Sequence, residues 1–487
     1  MADVIVIGSG FGGSIAAKRF TEAGYTVSLL ELGENWNDPA KLEQSQDTKF
    51  ILRLFRDYPV DYLQSKPRLV VTQGMGLGGG SLVYSGIHLR APQSAFANGW
   101  PTGYSRANLD PYYSRVEARL GVQQMPDTFD YPRPAVFAQG AAYAGLPAPT
   151  ANPLAMTDCT RCGWCVPICK WGRKNTTAKT YLADAMATGR LSIYTNRKAK
   201  YIARYGSKYR VVYWKTDGAV DNYHMVNSGA LYYQEASTVV VACGAIESPV
   251  LLSRSLTEAL PSGYQELNSF PTADLGYHID GTGDFAVGGF VPQQTDTYKG
   301  AIMMANIDMG DYVLEDLHAI PVGPAVKLEA AVTIGGKDRT WGLAYKQRYR
   351  DFGAHLMLIG IMGKSPSGAN ISVWNDNGNA QLSGTAYQPP TGSMEAARSI
   401  ITSLGGDLAK GPWERNGTAA TVHPVGGCRM DSIVQPTDLQ VFNNPGLYVI
   451  DGSVLPGGVF RNPSNTIAAI AEKAMDVILD APGAPSW

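Results

Sequence analysis

Four of the six cysteines of this 487-residue chain lie within the eleven residues CTRCGWCVPIC. Cys159, Cys162, Cys165 and Cys169 follow the pattern C-x2-C-x2-C-x3-C, which is the spacing of a bacterial ferredoxin run. Thiolates at this spacing can hold an iron–sulfur cluster, and zinc accepts the same ligand type. However, Lys170 stands where a ferredoxin run usually has proline, and structural zinc sites usually have two separated pairs. The sequence therefore favours bare thiols, reduced or disulfide-prone, over a cluster or zinc.

A histidine and an asparagine near the C-terminus stand in settings that restrict their backbone. His423 occurs in VHPVGGC, next to proline and two glycines, and Asn462 occurs in RNPSN. Pro463 keeps the backbone of Asn462 extended, so a helix can begin only after it, and that helix directs a partial positive charge toward whatever Asn462 faces. Histidine is the side chain that acts most often as a general base, so these two residues are candidates for a catalytic site. The alternative is a core histidine with satisfied hydrogen bonds and an asparagine that caps a helix.

The elements that would position these groups begin at the N-terminus. The sequence DVIVIGSGFGGSIAAKRFTEAGYTVSLLELG reads as strand, helix and strand. Gly8, Gly10 and Gly13 form G-x-G-x-x-G between the first strand and the helix, and Glu31 ends the second strand. The glycines allow a tight turn in which a helix N-terminus meets a pyrophosphate, and the acid can accept hydrogen bonds from ribose hydroxyls. This unit predicts a dinucleotide site.

Three later segments are consistent with a flat ligand at that site. GMGLGGG has five glycines in seven residues, and we expect apolar strands, RLVVTQ and SLVYSGIHL, on either side of it. TVVVACGAIESPVLLSRS predicts a further strand, turn and helix, with Pro249 in the first helical turn. LYVIDGS predicts a strand that ends in Asp451, and a helix follows NPSN.

Taken together, LLELGENWNDP, GLGGGSLV, GAIESPVLL, HPVGGC, LYVIDGSVLPG and NPSNT resemble the glucose–methanol–choline (GMC) family of FAD-dependent oxidoreductases, most closely its bacterial cholesterol oxidase branch. The likeness covers most of the chain but is poor over residues 256–415. It implies a non-covalently bound FAD, because Leu82 and Val83 stand where some relatives attach the cofactor to a histidine. The resemblance implies these FAD contacts: Gly8, Gly10 and Gly13 at the pyrophosphate, Glu31 at the ribose, the backbone of Ala199 at the adenine, Gly78, Gly79 and Ser81 along the flavin, and Asp451 and Gly452 near the ribityl phosphate.

The resemblance also implies the chemistry. His423 would accept and orient a substrate hydroxyl, with Asn462 as its hydrogen-bonding partner, while hydride passes to flavin N5. Glu329, in the predicted strand AVKLEAAVTI, would be either a site carboxylate that moves a proton or a solvent-facing acid paired with Lys327. Tyr84 replaces an asparagine of the family beside the flavin.

The expected function is therefore oxidation of the CH–OH group of a small, hydrophobic or biosynthetic alcohol, with oxygen or another electron acceptor. Two alternatives stay open. One is desaturation, isomerisation or cyclisation on the same fold, and the other is electron transfer by an iron–sulfur flavoprotein.

The composition excludes some function classes. A formal net charge of −1 with 17% charged residues gives no basic field for nucleic acid. No apolar run reaches 18 residues, so we expect no membrane span, and a strand almost at the N-terminus leaves no room for a signal peptide. The expected location is cytoplasmic.

The predicted fold class is α/β (α+β overall) in two discontinuous domains. A Rossmann-like FAD-binding domain is expected over residues 1–45, 180–285 and 425–487. A substrate-binding domain, built on a mixed or antiparallel sheet with helices, is expected over residues 46–179 and 286–424.

Overall fold

The computed structural model describes most of the chain. Glu329 lies outside the described residues, which are 2–38, 41, 53–63, 66–97, 99–221, 224–282, 284–318, 343–366, 371–376, 379–385, 387–409 and 419–480.

The strands of these residues are numbered in chain order: β1 Val4–Ile7, β2 Val27–Leu30, β3 Phe55–Leu63, β4 Lys66–Gly74, β5 Val122–Gln124, β6 Thr150–Ala151, β7 Pro153–Ala155, β8 Leu191–Tyr194, β9 Arg197–Tyr205, β10 Lys208–Asp221, β11 His224–Ala236, β12 Thr238–Val241, β13 Phe285–Phe290, β14 Met303–Asp308, β15 Tyr312–Leu317, β16 Leu356–Gly363, β17 Ile371–Asp376, β18 Asn379–Gly384, β19 Asp407–Ala409, β20 Ala419–Thr421 and β21 Leu447–Val449.

The α-helices of the same residues are α1 Phe11–Glu22, α2 Gly80–Val83, α3 Arg106–Leu120, α4 Pro132–Tyr143, α5 Tyr181–Ala187, α6 Gly244–Thr257, α7 Leu343–His355, α8 Ser393–Ser403 and α9 Ser464–Asp480.

A five-stranded parallel sheet, in the order β21-β12-β1-β2-β8, forms the first core. Every residue of β1, β2, β12 and β21 is buried. Helix α1 packs against β1, β2 and β12, and the antiparallel strands β9, β10 and β11 contact β2, β12 and β1. Helix α1 connects β1 to its neighbour β2 and packs against α5 and α9. The strand order and the glycine turn after β1 confirm the predicted Rossmann-like domain.

A six-stranded antiparallel sheet, in the order β19-β13-β16-β15-β14-β6, forms the second core. Val287, Leu314 and Ile359 of this sheet share one buried cluster with Ala397 and Ile400 of α8. Helix α8 also packs on α4, so these helices cover one side of the sheet. This sheet and its helices agree with the predicted fold class, in which an antiparallel or mixed sheet accompanies the Rossmann-like domain.

Two local predictions were wrong. SLVYSGIHL does not begin as a strand, because residues 80–83 form the helical turn α2 after Gly79, whose φ of +52° turns the chain sharply. Pro249 is not in the first turn of its helix, because α6 already begins at Gly244. The Asp451 carboxylate accepts a hydrogen bond from the Gly244 amide (2.8 Å), so a residue distant in sequence stabilises this early start.

Candidate active site

A cavity of about 810 Å³ extends from the parallel sheet to the antiparallel sheet. This volume is within the usual range for sites that bind small molecules and cofactors. Residues of both cores line it, among them Gly10, Glu31 and Asp451 from one core and Leu317 and Met362 from the other.

The three glycines of G-x-G-x-x-G have different structural roles. A Cβ on Gly8 would lie 2.2 Å from the Ala242 carbonyl oxygen, and one on Gly13 would lie 2.1 Å from the Gly8 carbonyl oxygen. These two glycines therefore permit close backbone packing. A Cβ on Gly10 would meet nothing within 4 Å, and Gly10 lines the cavity at the start of α1. The space in front of this helix N-terminus fits an anionic group such as a pyrophosphate.

Glu31 directly follows β2 and is only 5% exposed. One oxygen accepts hydrogen bonds from the Ser9 amide (3.0 Å) and hydroxyl (2.5 Å), and the other accepts one from the Gly33 amide (2.9 Å). Burial raises the pKa of Glu31 despite these hydrogen bonds. The oxygen that binds Gly33 can accept one more donor, so the carboxylate fits a ribose hydroxyl of a dinucleotide.

The second glycine-rich loop contacts the first. A Cβ on Gly79 would lie 2.6 Å from the Gly10 Cα, and the Gly78 amide donates to the Ser9 hydroxyl (3.0 Å). Gly79 lines the cavity, whereas Gly78 and Ser81 are not among its lining residues. The Ser81 hydroxyl instead donates to the Gly78 carbonyl oxygen (2.6 Å), which holds the loop in place.

Tyr84 follows α2 and lines the cavity with its ring 5.6 Å from that of Phe11. Its hydroxyl donates to the Asn175 carbonyl oxygen (2.7 Å) and lies 3.3 Å from His88 Nε2. Burial raises the pKa of Tyr84, so the phenol is neutral. His88 itself is not among the residues that line the cavity.

Ala199, Asp451 and Gly452 all line the cavity. The Ala199 carbonyl oxygen accepts a hydrogen bond from Arg254 Nη2 (3.0 Å). Besides the Gly244 amide, Asp451 accepts from the Ser248 hydroxyl (2.5 Å) and the Ser453 amide (2.7 Å). Burial raises the pKa of Asp451 against these hydrogen bonds. Asp451, which follows β21, is thus hydrogen-bonded to the N-terminal part of α6 at the cavity wall.

His423 follows β20 and lines the antiparallel side of the cavity. Its Nδ1 lies 2.7 Å from Asp284 Oδ1 and 2.9 Å from the Thr282 hydroxyl. The second Asp284 oxygen accepts a hydrogen bond from the Val422 amide (2.7 Å). Burial alone would raise the pKa of Asp284, but the His423 charge and these hydrogen bonds outweigh it, and the pKa is lowered.

Asn462 lines the same cavity just before α9 and is only 6% exposed. Its side-chain nitrogen lies 3.1 Å from the Met362 sulfur, and its side-chain oxygen has no hydrogen-bond partner among the described residues. A buried amide oxygen without a partner is costly, so it indicates a donor supplied by a ligand.

Sequence reasoning missed Asp284, which is 139 residues from His423. The only signal was an acid placed directly before an apolar strand, and nothing in the spacing linked it to the histidine. It also missed Glu315, a fully buried acid of β15. Glu315 pairs with Gly360 and lies on the same face of β15 as Leu317, and both of these neighbours line the cavity. Burial, with the nearby charge of Asp316, raises the pKa of Glu315 to about 8.

A buried group of charges lines the cavity beside Ala199. Arg56 pairs with Glu247 (2.7 Å), and Lys198 and Arg254 lie near the same acid. Burial lowers the pKa of Lys198 to about 8. Sequence reasoning did not identify this group, because its members come from β3, β9 and α6.

The cysteine run forms a loop that contacts the cavity through Val166. None of the chain's cysteines is in a disulfide. Over the part of the chain that the structure describes, no three potential metal ligands of the His, Cys, Asp or Glu type come together. Burial raises the pKa of Cys165 to about 12. The Cys169 sulfur accepts a hydrogen bond from the Arg173 amide (3.2 Å).

None of the described helices is both long enough and apolar enough to cross a membrane.

Comparison with known proteins gives consistent results. Residues 2–259 match the N-terminal model of a family described as GMC oxidoreductase, and residues 402–471 match its C-terminal model. A cholesterol oxidase of Mycobacterium tuberculosis is 24% identical, with 97% of this chain and 90% of the relative covered. A 2-methyl-1,2-propanediol dehydrogenase of Mycolicibacterium austroafricanum is 25% identical, with 98% and 95% covered.

Two solved structures share the fold. Pyridoxine 4-oxidase from Mesorbium loti superimposes with a TM-score of 0.65 at 18% identity, covering 98% of this chain and 99% of the other. Formate oxidase from Aspergillus oryzae superimposes with a TM-score of 0.67 at 13% identity, covering 98% and 97%. At these identities the likeness establishes the fold alone.

Proposed function

The chain belongs to the GMC oxidoreductase family and is an FAD-dependent oxidoreductase that acts on alcohols, and we propose that its substrate is an apolar alcohol whose hydroxyl group is bound by His423 and Asn462. One observation carries the proposal. Gly8 and Gly10 of the dinucleotide motif line the same cavity as His423 and Asn462, so a cofactor and a substrate hydroxyl can share it.

The residues present fit FAD. Open space in front of Gly10 suits the pyrophosphate, the remaining acceptor site of Glu31 suits the ribose, and the backbone of Gly79 at the cavity wall suits a flat ring. When bound, FAD supplies the acceptor for the hydride of the CH–OH group. We propose a non-covalent attachment, because Leu82 and Val83 occupy the position of the attached histidine and His88 is not a lining residue.

The side chains of the chain would handle the hydroxyl group. His423 would accept its proton, and the Asn462 amide would fix the direction of the oxygen. The unsatisfied Asn462 oxygen supports this role, since it needs a donor such as a hydroxyl or an imidazolium N–H.

The lining on the antiparallel side supports an apolar substrate. Its members are mostly aliphatic, aromatic or thioether side chains, among them Phe285, Met303, Leu317, Ile361 and Met362. Burying an apolar alcohol against them would supply binding free energy of roughly 25 cal/mol per Å² of apolar surface. The printed names of the relatives, a sterol oxidase and a diol dehydrogenase, are in keeping with this class.

The domain boundaries remain a proposal, and so does the role of Glu329. The strands of the parallel sheet fall in 1–45, 180–285 and 425–487, and most of the antiparallel sheet falls in 46–179 and 286–424, which supports the proposed division. The choice between oxygen and another electron acceptor stays a prediction from the sequence, as does a cytoplasmic location.

The test is anaerobic reduction of the purified flavoprotein with a panel of alcohols graded from short polar to sterol-like. We expect an apolar alcohol to bleach the flavin band, and His423→Ala to slow this step about 100-fold or more. His278→Ala is the matched control, because His278 is half exposed and does not line the cavity.

A rate of flavin bleaching in His423→Ala equal to that of the wild type would contradict the assignment of His423 to the active site. Product formation without flavin reduction would instead favour isomerisation or cyclisation, and stoichiometric iron and labile sulfide in the same preparation would favour the iron–sulfur alternative.

A further inference from the structure

We propose that Asp284 is a positioning residue that holds the His423 imidazole with its proton on Nδ1, so that Nε2 is the proton acceptor of the site. This inference rests on the proposed function and adds to it a residue and a tautomer. The reasons are geometric and come from the contacts around the ring.

The closest partner of His423 Nδ1 is a carboxylate oxygen, Asp284 Oδ1, at 2.7 Å. An ionised carboxylate can only accept, so the Nδ1 atom must be the donor of this hydrogen bond. The neutral ring then has its lone pair on Nε2, the atom that remains for the substrate.

The Asp284 carboxylate is itself fixed. The Thr282 hydroxyl donates to Oδ1 (2.9 Å), and the Val422 amide donates to Oδ2 (2.7 Å). Because the Thr282 proton is engaged with Asp284, its oxygen can only accept from Nδ1, which strengthens the same tautomer. The side chains of Asp284 and His423 are 20% and 17% exposed, so water competes little with this arrangement.

The backbone on both sides of the pair is also linked. Asp284 and Ala420 form a β-bridge, and Asp280 and Val425 exchange hydrogen bonds of 2.8 and 2.9 Å. The His423 amide donates to the Thr421 hydroxyl (3.1 Å). The carboxylate and the imidazole therefore sit on two segments joined like adjacent strands, which limits rotation of the ring.

The proton balance is simple. The substrate O–H bond would break and its proton would form an N–H bond at Nε2. Bound FAD would supply the acceptor for the hydride of the carbon that bears the hydroxyl, and that carbon would become a carbonyl. The ring becomes an imidazolium, and the Asp284 carboxylate, 2.7 Å away, stabilises that charge without taking a proton.

Asp284→Asn in the FAD-loaded enzyme tests the inference. The amide keeps the size of the side chain but offers an N–H to Nδ1, which favours the wrong tautomer. We expect the rate constant of anaerobic flavin reduction at saturating alcohol to fall 100-fold or more, with substrate affinity and flavin content nearly unchanged. We also expect the ¹⁵N spectrum of the substrate-free enzyme to show loss of the Nδ1–H form of His423. With six histidines in the chain, His423→Ala identifies the signal.

Asp274→Asn is the matched control, because Asp274 faces His278 at 3.5 Å in an exposed pair that does not line the cavity. It should leave both readouts unchanged. Thr282→Val provides a second variant should Asp284→Asn fail to fold, and we expect it to slow flavin reduction 3- to 10-fold.

An Asp284→Asn enzyme that keeps the Nδ1–H tautomer, or reduces its flavin at the wild-type rate, would overturn the inference. The NMR readout needs no substrate. Failure of the proposed function would show instead as wild-type enzyme that no alcohol reduces, whatever the tautomer of His423.

Discussion

The Glu315 carboxyl group is fully buried in β15, and one of its oxygens has no hydrogen-bond partner among the described residues. Burial first, and the charge of Asp316 second, raise its pKa from 4.5 to about 8. The protonated acid therefore contributes stability that is fully present below about pH 4.5 and is lost as the pH rises through about 8.

We predict that Glu315→Gln removes this pH dependence of the free energy of unfolding. The free energy of unfolding of the variant should exceed that of the wild type by an amount that grows between pH 5 and 9, on the order of 3 to 5 kcal/mol in total. Denaturant titrations at several pH values measure it. Glu395→Gln is the control, because the Glu395 side chain is 74% exposed. A pH-independent difference between Glu315→Gln and the wild type would show that Glu315 does not titrate in this range.

At the residue scale, the sequence predicted those site residues that a local sequence pattern distinguishes. His423 and Asn462 stand out because a proline directly after each of them restricts its backbone, and both line one cavity. Asp284 and Glu315 could not be identified in this way, because what distinguishes them is burial and a partner from another strand. Gly78 and Ser81 are predicted beside the flavin; they are not among the residues that line the cavity, and the Ser81 hydroxyl donates to the Gly78 carbonyl oxygen.

At the scale of elements, the glycines around the start of α1 have two separate roles, close packing and ligand binding. Gly13→Ala would put a Cβ 2.1 Å from the Gly8 carbonyl oxygen, so the helix would have to move away from the strand. Gly10→Ala would put a Cβ into open space, at a φ of −65° that alanine adopts readily.

We predict that Gly13→Ala lowers the free energy of unfolding by about 1–3 kcal/mol, as overpacking does. Gly10→Ala should leave the stability of the FAD-free protein unchanged but weaken FAD binding about tenfold or more, because the methyl group occupies the space in front of the helix N-terminus. Denaturant titration and flavin fluorescence titration measure the two quantities. Wild-type FAD affinity in Gly10→Ala would contradict the assignment of the pyrophosphate to this turn.

Strands and helices with strong local signals were predictable, and those fixed by distant contacts were not. The first strand, helix α1 and the second strand follow from apolar runs and the glycine motif. Helix α6 begins five residues before Pro249 because Asp451, more than 200 residues away, accepts the Gly244 amide. Helix α2 replaces a predicted strand because Gly79 turns the chain before the apolar residues begin.

At the scale of the whole molecule, the same contrast holds. At this scale β12 pairs with β1 from more than 200 residues away, which no local pattern indicated, whereas the pairing of β1 with β2 was predictable because a βαβ unit places successive strands side by side. The order of the antiparallel sheet was not, since β6 pairs with β14 more than 150 residues later and β13 pairs with β19 about 120 residues later. Long-range pairing of this kind produces no sequence pattern in either strand that identifies its partner.

The cavity between the two cores leads to a prediction about the proposed domains. FAD that binds only the folded chain should stabilise it by about 2.7 kcal/mol at a free concentration one hundred times the dissociation constant. If the FAD domain comprises residues 1–45, 180–285 and 425–487, hydrogen exchange should slow most in 8–14 and 451–467, and about 100-fold where exchange follows unfolding of that domain. The strands β14 to β16 should change little until an alcohol is added, because they line the substrate side. The matched control is Gly10→Ala at the same FAD concentration, in which the protection of 8–14 should be smaller. Equal protection of both cores by FAD alone would mean that they unfold as one unit, and it would contradict the proposed division.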